Sequence, residues 1–133
     1  MKLTIYLAGH SREYEYRKKA TDNYGSRLEL LDPMIFTPED VDKCIGETCS
    51  HVYIVRRDKK AILSSDIVVA YVEKYTPGTM MEICFSYEHG IPVYVISSQN
   101  EILDDPWVLF HSTKQFRTIE DCFEFILDGK GIK

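Results

Sequence analysis

The stretch Ser65–Ile96 reads S-D-I-V-V-A-Y-V-E-K-Y-T-P-G-T-M-M-E-I-C-F-S-Y-E-H-G-I-P-V-Y-V-I, and its punctuation decides the fold. Ile67 to Val72 is an apolar run rich in β-branched residues, the pattern of a strand buried on both faces. Pro77-Gly78 marks a turn, Thr79 is placed to cap the helix that follows, and Gly90-Ile91-Pro92 ends that helix. Val93 to Ile96 is the next buried strand. Strand, helix and strand within about thirty residues make a βαβ unit, whose right-handed crossover builds parallel sheet. The pattern puts Glu82 in the first turn of the helix, just beyond the carboxyl end of a parallel strand, where open α/β sheets bind their ligands.

Outward from this unit the alternation continues. Lys2 to Ala8 predicts a first strand ending in Gly9-His10-Ser11-Arg12. Ser11 is a suitable N-cap, and Arg12 to Asn23 predicts a charged helix closed by Gly25. Strand, glycine turn and helix N-terminus together offer backbone N–H groups to an anion, although a single glycine is more often only a turn. A second strand falls within Leu28 to Phe36, interrupted by Asp32-Pro33. Thr37 to Ser50 is polar, with T-P-E-D as a helix start and a short helix to Cys44, and is a candidate lid or substrate loop. His51 to Ser64 predicts a helix with Val52, Val55, Ala61 and Ile62 as apolar positions. After Ile96 come a mixed loop and short helix carrying the only Trp, then an edge strand beginning at Phe116 and an amphipathic helix from Ile119 to Leu127. The βαβα order predicts one doubly wound, flavodoxin-like or Rossmann-like three-layer domain with about five mostly parallel strands.

A chain of 133 residues can bury a full core as one domain over 1–133. The net charge of −5 and the lack of a Lys/Arg-rich run argue against a nucleic-acid polymer as partner. No apolar run reaches the roughly 20 residues of a membrane span, and the N-terminus enters a strand directly, so the cytosol is the expected address. Of the four cysteines, Cys44 and Cys49 lie near His51, but their spacing is poor for zinc, and reduced thiols are expected instead.

Three polar residues converge on the expected crevice. For Glu82, an acidic residue in a first turn is ordinary helix chemistry, and the macrodipole there keeps a carboxylate ionised, which suits a nucleophile. Asp58 lies eight residues before Asp66, on a helix running antiparallel to the central strand. Eight residues at 1.5 Å each lift Asp58 by about 12 Å towards the strand's carboxyl end, while Asp66 stays at the structural end. Among Arg56, Arg57, Lys59 and Lys60 it also reads as a solvated charge. Tyr6, two residues before the first strand ends, either fills the core or points its hydroxyl into the crevice. Thr76 and Thr79 flank Pro77-Gly78 and offer hydroxyls to a polar ligand, although turn chemistry accounts for them nearly as well.

In order and spacing these residues resemble the nucleoside 2-deoxyribosyltransferase family, including its branch of 2′-deoxynucleoside 5′-phosphate N-hydrolases. The resemblance spans Leu3 to Ile96. It rests on I-Y-L-A-G at 5–9, D-x7-D-I-V-V-A at 58–70, G-T-M-M-E-I at 78–83 and H-G-I-P-V at 89–93. It implies that Glu82 is a nucleophile forming a glycosyl ester, that Tyr6 orients it, and that Asp58 handles the proton that lets the base leave. Carboxylate attack at C1′ through an oxocarbenium-like state leaves an intermediate for a second acceptor. A free nucleobase as acceptor makes a transferase, and water a hydrolase.

Cys84 stands where the family usually has a glycine, which bears on helix packing more than on chemistry. Gly9-His10-Ser11-Arg12 is closer to the phosphate branch, which carries an arginine there, and Thr76 falls where that branch places a hydroxyl near the phosphate. The resemblance implies Ser112, in H-S-T-K, as the counterpart of a serine supplied by a neighbouring subunit, and Gly78 and Thr79 complete the implied substrate contacts. The resemblance further implies small-molecule deoxynucleosides or deoxynucleotides and free nucleobases as partners, no metal or organic cofactor, and a homodimer or larger assembly to which Pro106–Ser112 contributes. The rivals are a nucleotide-binding or sensing module without turnover and a flavodoxin-like redox protein. The latter is weakened by the absence of a Ser/Thr/Gly-rich phosphate loop after the first strand.

Overall fold

A computed structural model describes residues 2–44 and 51–129. Five strands, β1 (Thr4–Gly9), β2 (Glu29–Leu31), β3 (Ile67–Tyr71), β4 (Val93–Ile96) and β5 (Lys114–Phe116), form one sheet in the order β2-β1-β3-β4-β5. Every pairing is parallel. The helices among the described residues are α1 (Tyr14–Tyr24), α2 (Pro38–Cys44), α3 (His51–Leu63), α4 (Pro77–Glu88), α5 (Asn100–Leu103), α6 (Pro106–His111) and α7 (Ile119–Leu127). This is the flavodoxin-like doubly wound order, with the topological switch between β1 and β3.

Alternation along the strands divides the core into two layers. Ile5 and Leu7 of β1, with Ile67 and Val69 of β3, pack under α1 and α7 against Tyr16, Ala20, Tyr24 and Phe123. Tyr6 and Ala8, with Val68 and Ala70, face the opposite side, under Ile62 of α3, Ile83 of α4 and Val108 of α6. The step of one residue from Ile5 to Tyr6 therefore sends Tyr6 towards α3 and α4. At the other end of the sheet Asp66 accepts a hydrogen bond from the Thr4 backbone N–H at 2.8 Å, which ties the amino ends of β1 and β3 together.

Several boundaries differ from the sequence expectation. The first helix starts at Tyr14 with Glu13 as its N-cap residue, so Ser11 does not cap it. The Glu13 N–H donates to the His10 carbonyl and the Arg12 N–H to His10 Nδ1, both at 2.9 Å. These bonds close a turn over 10–13 and delay the helix. Thr79 likewise lies inside α4, because Pro77 takes the first helical position, where its missing N–H costs nothing. Val52 and Val55 of α3 are 43% and 48% exposed, since α3 meets the sheet through its last turn at Ile62. Phe116 ends β5 rather than beginning it, the pairing having started with the Thr113 N–H bonded to the Val93 carbonyl.

Candidate active site

The Tyr6 side chain is 0% exposed, and its hydroxyl donates to Glu82 Oε2 at 2.6 Å. The bond joins β1 to α4 across the carboxyl half of the sheet. Glu82 is the sixth residue of α4 and lies in its second turn, not the first as the sequence suggested. The free N–H groups of the helix end are therefore out of its reach. Its carboxyl is not held ionised by the helix terminus. Burial raises its pKa to about 7, opposed by the Tyr6 hydrogen bond and the Arg17 charge and reinforced by Asp58. Close to neutrality the carboxyl is poised between its two forms. The same burial, together with the Glu82 charge, pushes the Tyr6 hydroxyl far above its ordinary pKa, so it serves as a donor only.

Asp58 lies on α3, and its charge acts on the Glu82 carboxyl. Arg57 grips its Oδ1 through Nε at 3.0 Å and Nη2 at 2.9 Å, while Oδ2 carries no hydrogen bond among the described residues. Burial raises the Asp58 pKa, and Arg57 pulls it the other way. Arg57 also reaches Asp40 of α2 at 3.2 Å and the Pro33 carbonyl, and it lies over the Phe36 ring. Asp40 in turn accepts from the Tyr53 hydroxyl. Its pKa is lowered to about 2 by that bond and by the Thr37 backbone N–H. Tyr6 and Asp58 both line a cleft of about 810 Å³ whose walls come from β2, the segment after it, α2 and α3. Leu31, Ile35, Val52 and Tyr53 give it apolar and aromatic surface, the lining suited to a flat organic ligand with a few fixed polar groups.

The remaining candidates are placed less tightly. Gly9 is packed so closely that a Cβ would stand 3.2 Å from the Tyr71 carbonyl oxygen. His10 uses its ring and its carbonyl inside the turn, so the N–H groups of Arg12 and Glu13 are already taken and the proposed anion cradle loses them. The exposed Arg12 side chain has no hydrogen bond or ion pair among the described residues, and Ser11 is exposed beside it. The Thr76 hydroxyl donates to the Thr79 hydroxyl at 3.0 Å beside Gly78, so each holds the other. Ser112 follows α6, where it donates to the Leu109 carbonyl at 3.4 Å and accepts from Gln115 at 3.3 Å. None of its hydrogen bonds reaches Tyr6, Asp58 or Glu82. Residues 45–50 of the candidate lid, Cys49 among them, lie outside the described residues.

Sequence reasoning passed over Arg17, Asp40 and Tyr53 and treated Arg57 only as part of a charged surrounding. A signal was present for Arg17: with Ala20 and Tyr24 it holds the i, i+3, i+7 positions of the buried face of α1. Asp40 sits in a polar segment and Tyr53 among Val52, Ile54 and Val55, and nothing local distinguishes either.

The order of the sheet defines an α/β domain of flavodoxin-like class, with Tyr6 and Asp58 on a cleft beside β2 and with Tyr6 bonded to Glu82 of α4. No protein-family model matches the chain, and no curated protein matches it in sequence. Solved structures do share the fold. A conserved protein from Enterococcus faecalis V583 aligns over 96% of this chain and 99% of its own with a TM-score of 0.71 at 16% identity. The 2-deoxyribosyltransferase of Bacillus psychrosaccharolyticus aligns over 90% and 89% with a TM-score of 0.66 at 20% identity. DNA processing protein A of Helicobacter pylori, studied for its single-stranded DNA binding mode, aligns over 96% and 81% with a TM-score of 0.64 at 13% identity. At these identities the likeness is one of fold. Among the described residues no helix is long and apolar enough to cross a membrane.

Proposed function

We propose that this protein is a nucleoside 2-deoxyribosyltransferase-like enzyme that cleaves the N-glycosidic bond of 2′-deoxyribonucleosides or their 5′-monophosphates. The observation that carries the reading is the 2.6 Å bond from the buried Tyr6 hydroxyl to Glu82, with Tyr6 itself lining the cleft that Asp58 lines. Tyr6 holds one oxygen of Glu82, and the other oxygen attacks C1′ while the bond to the base breaks. The open Asp58 Oδ2 faces the leaving base, and the raised Asp58 pKa favours its holding the proton that the base takes. A glycosyl-Glu82 ester remains, and a second nucleobase attacking C1′ frees the carboxylate and completes a transfer with retention. The shared fold with a 2-deoxyribosyltransferase supports this choice among flavodoxin-like functions.

A second reading replaces the acceptor base with water and makes the protein a deoxynucleoside 5′-monophosphate N-hydrolase. The unengaged Arg12 guanidinium beside the turn after β1 favours it, because a 5′-phosphate there would find a charged donor. A non-catalytic nucleotide-binding module and a single-stranded DNA binder are the alternatives from other classes. The net charge of −5 weighs against the latter.

The test incubates the protein with deoxynucleosides and with their monophosphates, each with and without a free acceptor base, and identifies the products. Base exchange supports the transferase, and release of base to water from monophosphates supports the hydrolase. A protein that binds these compounds and never releases base is the sensing module, and the enzymatic reading then fails.

A further inference from the structure

Consecutive residues on a helix point about 100° apart and do not face each other. Arg57 nevertheless turns back on Asp58. Its Nε and Nη2 both donate to Asp58 Oδ1, at 3.0 and 2.9 Å. An ordinary arginine–carboxylate pair spreads two parallel bonds over both oxygens. Here one oxygen takes the whole grip.

The cause lies on the other side of the guanidinium. Nη1 donates to Asp40 Oδ2 at 3.2 Å, Nη2 donates to the Pro33 carbonyl, and Cζ stands 4.7 Å from the centre of the Phe36 ring. Asp40 is itself fixed at the start of α2. It accepts from the Thr37 backbone N–H at 2.8 Å, and its own N–H donates to the Thr37 hydroxyl at 3.1 Å, a reciprocal helix cap. The Tyr53 hydroxyl occupies its other oxygen. The Arg57 and Asp40 side chains are only 19% and 7% exposed, so solvent screens this pair weakly. A lysine ammonium is a point charge and cannot span these anchors and Asp58 together.

Pro33, Asp40, Arg57 and Asp58 all line the cleft. We propose that Arg57 is the positioning residue of Asp58, held to that task by Asp40: it fixes Oδ1 and leaves Oδ2 as the oxygen offered to a ligand. Carboxylate rotation about its last bond is otherwise broad and roughly two-fold. The inference rests on the reading of Asp58 as the group that handles the proton of the leaving base. It goes beyond that reading by assigning the two Asp58 oxygens different roles and by making α2 part of the site.

Asp58 is met by Arg57 of its own helix and by Asp40 of α2, and it acts in turn on Tyr6 of β1 and Glu82 of α4. Asp32, Glu39, Arg56 and Lys60 share the cleft lining. Arg57 favours the ionised form of Asp58, against burial and the Asp40 charge.

The test follows the Asp58 carboxyl by carbon-13 NMR titration without substrate, its resonance assigned by its loss in Asp58→Asn. Arg57→Met keeps an unbranched stem and removes charge and fork, and the midpoint is expected to rise by about one pH unit or more. A staple acting only through Asp40 and Pro33 would leave that midpoint alone. Asp40, lowered to about 2, stays ionised while Asp58 titrates, and repeating the titration in Glu82→Gln removes the carboxyl that titrates at about 7. In the wild type the Arg57 Nε–H resonance should shift with the Asp58 midpoint, which needs no variant. In Asp40→Asn the exchange of that proton should quicken roughly tenfold, the difference between a charged and a neutral anchor. An unchanged midpoint in a folded Arg57→Met overturns the proposal. So does an Nε–H resonance that ignores Asp58, or an exchange rate that Asp40→Asn leaves unaltered, whether or not Arg57→Met folds. None of these measurements requires turnover. A product assay without base release strikes the enzymatic reading alone, and an unmoved Asp58 strikes the role of Arg57 alone.

Discussion

Replacing Tyr6 with Phe removes one hydroxyl from a fully buried ring and leaves the packing of β1 intact. The bond it deletes is the 2.6 Å contact to Glu82 Oε2. A hydrogen bond to an ionised group is worth about 1.5–3 kcal/mol and one between neutral groups about 0.5–1.5 kcal/mol. Only the difference, about 1–1.5 kcal/mol, bears on the equilibrium between carboxylate and carboxylic acid, and 1.36 kcal/mol is one pH unit. The Glu82 midpoint should therefore climb from about 7 to roughly 8. The sign follows from Tyr6 stabilising the charged form, so its loss favours the acid. At pH 7 the ionised fraction falls from about half to about a tenth, which costs about fivefold in rate before any loss of orientation. The assay is kcat/KM against pH, which reports the free enzyme. The Asp58 charge acts on Glu82, so the acid limb belongs to the pair, and the displacement between wild type and variant carries the test. A Tyr6→Phe profile that superimposes on the wild type would refute the reasoning. A loss that is equal at every pH would leave Tyr6 an orienting role without an electrostatic one.

Glu82→Gln keeps shape and hydrogen bonding but removes the nucleophile, and turnover should fall by roughly three orders of magnitude or more. The same variant should gain stability in alkali. A carboxyl raised from 4.5 to about 7 by folding contributes stability that is complete below 4.5 and lost as pH rises through 7, about 3 kcal/mol in all. Denaturant melts at pH 5 and pH 8 should show most of that loss in the wild type and none of it in the variant. Arg12→Ala should weaken use of a monophosphate by about 1.5–3 kcal/mol, or roughly 10- to 150-fold in kcat/KM, with the nucleoside unaffected. Equal effects on both substrates would favour the transferase. Sedimentation at micromolar concentration should give a dimer or larger, and Trp107→Glu should dissociate it. A fully active monomer would remove the assembly idea.

The parallel sheet was legible because its central strands are short apolar runs between turn residues, and Ile67–Tyr71 and Val93–Ile96 admit little else. The apposition of Tyr6 and Glu82 was legible only through order and spacing, since nothing local separates a core tyrosine from a ligand. Two helix starts were misread. His10 delays α1 beyond Ser11, and Pro77 starts α4 ahead of Thr79. That second shift of register moves Glu82 from the first turn to the second, which reverses the electrostatic argument: burial replaces the helix terminus as the dominant influence. The Asp40–Tyr53–Arg57 cluster joins α2 to two residues one turn apart on α3, and nothing in either helix alone announces the pairing.

The sole tryptophan sits on α6 at 76% exposure, stacked parallel to the His111 ring at 5.9 Å, with exposed Phe110 and Met81 also on the outer surface. An indole that is wet in the folded chain changes its surroundings little when the chain unfolds. Its fluorescence is consequently a poor gauge of denaturation, and melts are better followed by circular dichroism. The same indole becomes a sensitive gauge of anything that covers α6. A blue shift on raising the protein concentration would register a second subunit arriving while the interior stayed unchanged.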